Sequence, residues 1–228
     1  HYRNHACADV AAGALDWIRR NGDRPFFCFV LFNDPHEPTL PTPRRFCPLM
    51  EEAGHDPEAW ADEDLRSLAR WRGTERVPPL GRTPRPPDAA ARAALEVKLA
   101  LYSGSVASVD AAVDAVLRQL EVWGLDADTM VSVLSDHGEE FLEHADAAAR
   151  WDHDPRDLQA IGHGHTLFGE LLHVPSIVRG PDLPSGADRP ASVSPLDVAP
   201  TLCPCLRLPP PPFPSSPLEA PPAPPPAP

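Results

Sequence analysis

The sequence predicts an α/β domain built on a mostly parallel sheet, and three observations carry that expectation. Two apolar runs about the length of buried strands, Phe26–Phe32 and Met130–Leu134, each stop abruptly at residues that carry chemistry. Helical periodicity leads into the first run and fills the stretch before the second, the arrangement of α/β units. At 228 residues the chain holds one such domain with a sizeable core and hardly two.

The first element is a helix over residues 6–20, with Val10, Ala14, Trp17 and Ile18 on one face and Asp16, Arg19 and Arg20 largely off it. Asn21-Gly22 is expected to end it, since glycine tolerates the left-handed backbone of a helix terminus. Pro25 then introduces seven consecutive apolar residues, Phe26 to Phe32, which read as a central strand buried on both faces. The strand ends in Asn33-Asp34-Pro35-His36-Glu37-Pro38, where two prolines stiffen the loop and stop the ladder. A histidine fixed on such a turn can donate a proton or hydrogen bond to a leaving group. The plainer reading of His36 is a surface loop histidine; Asp34 and Glu37 read as solvated loop charges.

Residues 39–87 are a proline-rich excursion with room for one short helix around Glu58–Trp71. An excursion after a loop at a site often shapes a cleft. The clearest helix follows, from Asp88 as its cap to Trp123. Tyr102, Val106, Val109, Val113, Val116, Leu117 and Leu120 recur at steps of three and four, and Gly124 is the stop.

Met130–Leu134 then runs into Ser135-Asp136-His137-Gly138-Glu139-Glu140. Two readings fit this junction. Asp136 and His137 can be metal ligands at the edge where open α/β sheets bind ligands, or Asp136 can cap a following helix. Farther on, glycines bracket His163 and His165 in Gly162-His163-Gly164-His165, as in a loop pressed against a ligand. A His-X-His pair alone is a weak metal signal. His173 reads as structural, just before a short strand and turn at 174–181.

Composition removes some classes. The formal charge of −13 argues against a nucleic-acid partner held through phosphates. No apolar stretch read from the sequence reaches the roughly 20 residues that cross a bilayer. Five cysteines, at 7, 28, 47, 203 and 205, show no metal-finger spacing and cannot all pair internally. Residues 209–228 hold 12 prolines in 20, which predicts a polyproline-like or disordered tail after a domain spanning 1–208. Starting at His1, the chain reads as a fragment or processed piece.

Five blocks in order carry a resemblance: FFCFVLFNDPHEP, YSGSVASVD, TMVSVLSDHGEEFLEH, GHGHTLFGELLHVPSIVRGP and VSPLDVAPTL. They are similar to successive blocks of the sulfatase family, within the alkaline-phosphatase-like superfamily. The likeness runs from about residue 6 to 202, and SDHGEE is its sharpest marker. It implies a three-layer α/β/α fold, here incomplete, and a hydrolase of small-molecule or carbohydrate sulfate esters. It also implies a divalent metal, usually Ca2+, held in part by Asp136 and His137. By the same match His36 assists the leaving oxygen. His163 stands first, and His165 second, where the family has a lysine that binds the sulfate.

The sequence departs from the family at its nucleophile. Sulfatases attack with a formylglycine made from C-x-P-x-R, which lies upstream of every block found here, and that motif is absent from this sequence. Cys203-Pro204-Cys205-Leu206-Arg207 has the Cys–Arg spacing but the wrong middle residue and the wrong end of the chain. Three function classes therefore stand: a sulfatase fragment, a phosphate or phosphonate ester hydrolase using Mn2+ or Zn2+, and a catalytically inactive piece. The histidine richness of 137–165 keeps the second class open, since imidazole suits Mn2+ or Zn2+ better than Ca2+.

Overall fold

A computed structural model describes residues 6–36, 89–144, 161–181, 183, 186, 192–209 and 212. The excursion at 39–87, its expected helix at 58–71 and most of the tail at 209–228 lie outside the described residues.

Helix α1 spans Cys7–Asn21 and helix α2 spans Ala89–Val122, each within a residue or two of the sequence expectation. The two pack together around Cys7, Ala11 and Ala112, with Phe32, Val109 and Val116 against that cluster. The buried face of α2 is built from smaller residues than expected: Val97, Leu101, Ser105, Ser108 and Ala112 recur at steps of three and four, while Val106 is exposed. Small side chains let the α1 backbone come close. Ser108 then serves as a polar anchor, its Oγ 3.1 Å from Cys7 Sγ, and Ser105 satisfies its own hydroxyl by donating to Leu101 O at 3.1 Å. Leu95–Val122 is long and apolar enough to cross a bilayer by length and composition only, a test that core helices also pass. It also carries Glu96, Lys98, Asp110, Asp114, Arg118 and Glu121, and packs on α1.

Gly22 ends α1 differently from expectation. Its φ is −75°, an ordinary right-handed value. Glycine is required there by space, because a Cβ would lie 2.9 Å from Ile18 O and 3.1 Å from Leu125 Cδ1. Gly124, at φ +67°, is the left-handed stop that the sequence predicts for α2.

Two short ladders follow. Strand β1 (Val131–Leu134) pairs antiparallel with β4 (Ser176–Arg179), and β2 (Glu140–Phe141) pairs antiparallel with β3 (Ile161–Gly162). The four-residue helix α3 (Gly169–Leu172) sits between β3 and β4. After a capped 3-10 turn at Pro195–Asp197, α4 runs from Val198 to Cys205. Helices and strands are both present, but the mostly parallel sheet is not seen among the described residues. A parallel neighbour needs a crossover that returns the chain to the starting end of the sheet. Here Leu134 faces Ser176, so the chain re-enters at the end where β1 finished.

The expected central strand Phe26–Phe32 carries no ladder among the described residues. Its burial alternates: Phe27 is 81% and Phe29 76% exposed, while Phe32 packs on the Cys7 cluster. One face is covered by the helices and the other is open, so burial on both faces is corrected to burial on one.

Candidate metal and anion site

The loop after β1 is fastened before any chemistry is added. Gly138 N–H donates to Leu171 O at 2.9 Å, and a Cβ on Gly138 would fall 1.9 Å from Glu170 O. Only glycine permits this approach of the loop to α3. Ser135 Oγ donates to His137 O at 2.7 Å and closes the turn. No helix begins at Asp136, so the capping alternative is set aside.

Within this turn Asp136 Oδ1 accepts the His137 N–H at 3.0 Å. His137 Nδ1 lies 2.8 Å from Gly138 O; a carbonyl only accepts, so Nδ1 is the donor, which in the neutral tautomer leaves the lone pair on Nε2. Nε2 in turn lies 3.7 Å from Asp136 Oδ2. A backbone-oriented imidazole beside a carboxylate that is 84% exposed is a donor pair fit for a divalent cation.

Two more histidines complete a row. The His163 ring stacks on His137, centroids 3.9 Å apart and planes at 27°, and meets His36 edge-on at 5.2 Å and 64°. His36 arrives on the turn after Phe32, where its N–H donates to Asn33 O at 3.1 Å. Asp34, read from sequence as a solvated charge, is instead only 8% exposed and accepts Cys7 N–H at 3.0 Å. The His36 loop is thereby tied to the start of α1, where a carboxylate also suits the helix dipole. Four residues that the sequence marks for the site (His36, Asp136, His137 and His163) thus lie together.

His165 does not join them. Its side chain is 4% exposed, and Nε2 lies 2.9 Å from Glu140 Oε2, so an anion would have to displace a buried carboxylate to reach it. Left-handed Gly164, at φ +77°, sends the two neighbouring histidines to different partners. His163 Nδ1 lies 3.2 Å from Glu139 Oε1. Thr166 Oγ1 donates to Glu140 Oε2 at 3.2 Å.

Sequence reasoning missed both glutamates. Glu139 is the partner that orients His163, and its charge adds to burial in raising the Tyr102 hydroxyl above its ordinary pKa. The available signal was adjacency: consecutive residues entering a strand face opposite sides, so Glu139-Glu140 supplies one carboxylate to each. His144 and Glu170 form a further pair, Nδ1 to Oε1 at 2.5 Å, with the His144 ring stacked on Phe168 at 3.7 Å. His173, read as structural, caps α3 through its N–H to Gly169 O at 2.7 Å.

Compared with known proteins, residues 3–208 match the family model described as Sulfatase. No curated protein and no solved structure matches the chain.

Proposed function

We propose, from the premise that this chain belongs to the sulfatase family, that the row His36–His163–His137 with Asp136 is the ester-binding end of a sulfate ester hydrolase site. Family membership makes the protein a sulfatase-like hydrolase; the substrate class and the residue roles are our reading. The observation that carries it is His163 set between His137 and His36, in ring contact with both.

Asp136 Oδ2 and His137 Nε2 are the atoms that would hold a divalent metal. Such a metal, when bound, supplies positive charge against the ester oxygens. Ca2+ is the family's usual ion, and the imidazole donor also suits Mn2+ or Zn2+. His163, oriented by Glu139, contacts the anion. His36, on its tethered turn, donates to the leaving oxygen. His165, bonded to Glu140, holds the strand pair behind this row and takes no part in anion binding. The formylglycine of the family has no motif in this sequence, so no step of nucleophilic attack is assigned to these residues.

We also read Phe26–Phe32 as one strand of a larger, mostly parallel sheet of the alkaline-phosphatase-like kind. Its alternating exposure and a backbone edge that carries no ladder among the described residues support that reading.

Turnover of an aryl sulfate and an aryl phosphate by the full-length protein, with Ca2+, Mn2+ and Zn2+ in turn, tests the reading. The sulfate ester should be preferred, and His36→Ala should slow it roughly 10²–10⁴-fold. Faster turnover of the phosphate ester with Mn2+ or Zn2+ would select the phosphoryl reading, which the three imidazoles favour. Undiminished activity in Asp136→Ala removes the metal assignment.

A further inference from the structure

Glu140, His144 and Glu170 form a second group of donors, none of them in the row just described. A carboxylate oxygen of each glutamate and a ring nitrogen of His144 all lie within 4.8 Å of one another. Glu140 is fully buried, and its two oxygens differ. Oε2 is held by His165 Nε2 and Thr166 Oγ1. Oε1 is buried with no hydrogen-bond partner among the described residues. A buried carboxylate oxygen left without a partner is costly unless positive charge meets it. A second carboxylate in the same group, Glu170, deepens that cost.

We propose that Glu140, His144 and Glu170 bind a divalent transition-metal ion, Zn2+ or Mn2+, at a site separate from Asp136 and His137. Two carboxylates and one neutral imidazole balance a dication in charge, and a mixed nitrogen and oxygen set suits Zn2+ or Mn2+ better than Ca2+. Zn–N and Zn–O bonds of about 2.0–2.2 Å set tetrahedral donors roughly 3.4 Å apart. Side-chain rotation at the partly exposed His144 and Glu170 closes the present spread to that distance. The surroundings have the form of a supported site. His165 and Thr166 orient the Glu140 carboxylate from behind, and Phe168 braces the His144 ring. The ion would join β2 to α3 and so fasten the element against which Gly138 is pressed. The inference stands whether or not Asp136 and His137 hold a metal.

The test blanks the other pair first. In an Asp136→Ala/His137→Ala double variant of the whole chain, isothermal titration with Zn2+ and with Mn2+ should still find one equivalent per chain. Adding Glu170→Gln or His144→Ala should abolish it, and Thr166→Val should weaken it roughly 10–100-fold. Because Glu170→Gln can unsettle α3, thermal melts accompany the titration: Zn2+ should raise the melting temperature of the double variant but not of the form that also carries His144→Ala, a partly exposed position. Loss of all Zn2+ and Mn2+ binding in the double variant overturns the proposal. Binding that survives both Glu170→Gln and His144→Ala overturns it equally.

Discussion

Oδ1 of Asp34 accepts a 3.0 Å hydrogen bond from the backbone N–H of Cys7, 27 residues earlier in the chain. This contact gives the first turn of α1 a carboxylate and gives the His36 loop a fixed anchor. Asp34→Ala should lower folding stability by about 1–2 kcal/mol, as loss of a helix-terminal acceptor does. It should also broaden or shift the His36 ring resonances, because the loop loses its tie. Denaturant melts together with histidine NMR signals measure both. Unchanged stability would show that Cys7 N–H finds water equally well.

Gly138 is the tightest place in the site. A methyl group there meets the Glu170 carbonyl oxygen at 1.9 Å, and neither partner is a flexible side-chain end. Gly138→Ala should therefore push α3 from the Asp136–His137 loop and cost about 1–3 kcal/mol, the usual range for overpacking. Chemical denaturation reads the loss. A variant as stable as the parent would mean that the loop and α3 shift apart freely.

Tyr102 reports on Glu139. Burial, and secondly the Glu139 charge, push the Tyr102 hydroxyl above its ordinary value of 10.0. Phenolate absorbance on alkaline titration should show a tyrosine ionising above that value, and the signal should vanish in Tyr102→Phe. Glu139→Gln should bring the midpoint part of the way back. No movement in that variant would leave burial as the sole cause.

Alkaline stability follows from the same direction of shift in Cys7, raised mainly by burial, in Cys28, raised by burial, and in Tyr102. Each group holds its proton more tightly folded than unfolded, so the unfolded chain releases protons first as pH rises. The contribution is complete below about pH 9, the unfolded thiol value. It is lost as pH climbs through the raised folded values. Melting temperature should fall across that window, and Cys7→Ser should flatten the fall. At neutral pH exposed Cys205 should react with a thiol reagent well before buried Cys7.

Much of the site was legible because its residues sit where patterns break. Strand β1 announces itself as a short apolar run, and its abrupt end marks Asp136 and His137. Helices α1 and α2 follow from periodicity, and ordered blocks along the chain carry the family. What periodicity does not carry is the partner of each residue. The run Phe26–Phe32 has the composition of a doubly buried strand, yet its burial is set by which elements stand beside it, and only the helices do among the described residues.

By itself, the sequence determined the family, the two long helices and the four residues that meet in the row of histidines with Asp136. Local chemistry suffices for these, because caps, glycine stops and strand ends act over a few residues. Only the tertiary structure decided that Asp34 is a buried acceptor and that His165 faces Glu140 while His163 faces Glu139. It also set the antiparallel direction of β1 and β4 and drew Glu140, His144 and Glu170 together. Glu140 and His144 aside, those are contacts between residues 24 to 48 positions apart in the chain, 24 for Glu139 and His163, 27 for Cys7 and Asp34 and up to 48 for Val131 and Arg179. Their free energy comes from excluding water between surfaces that meet only once the chain has folded.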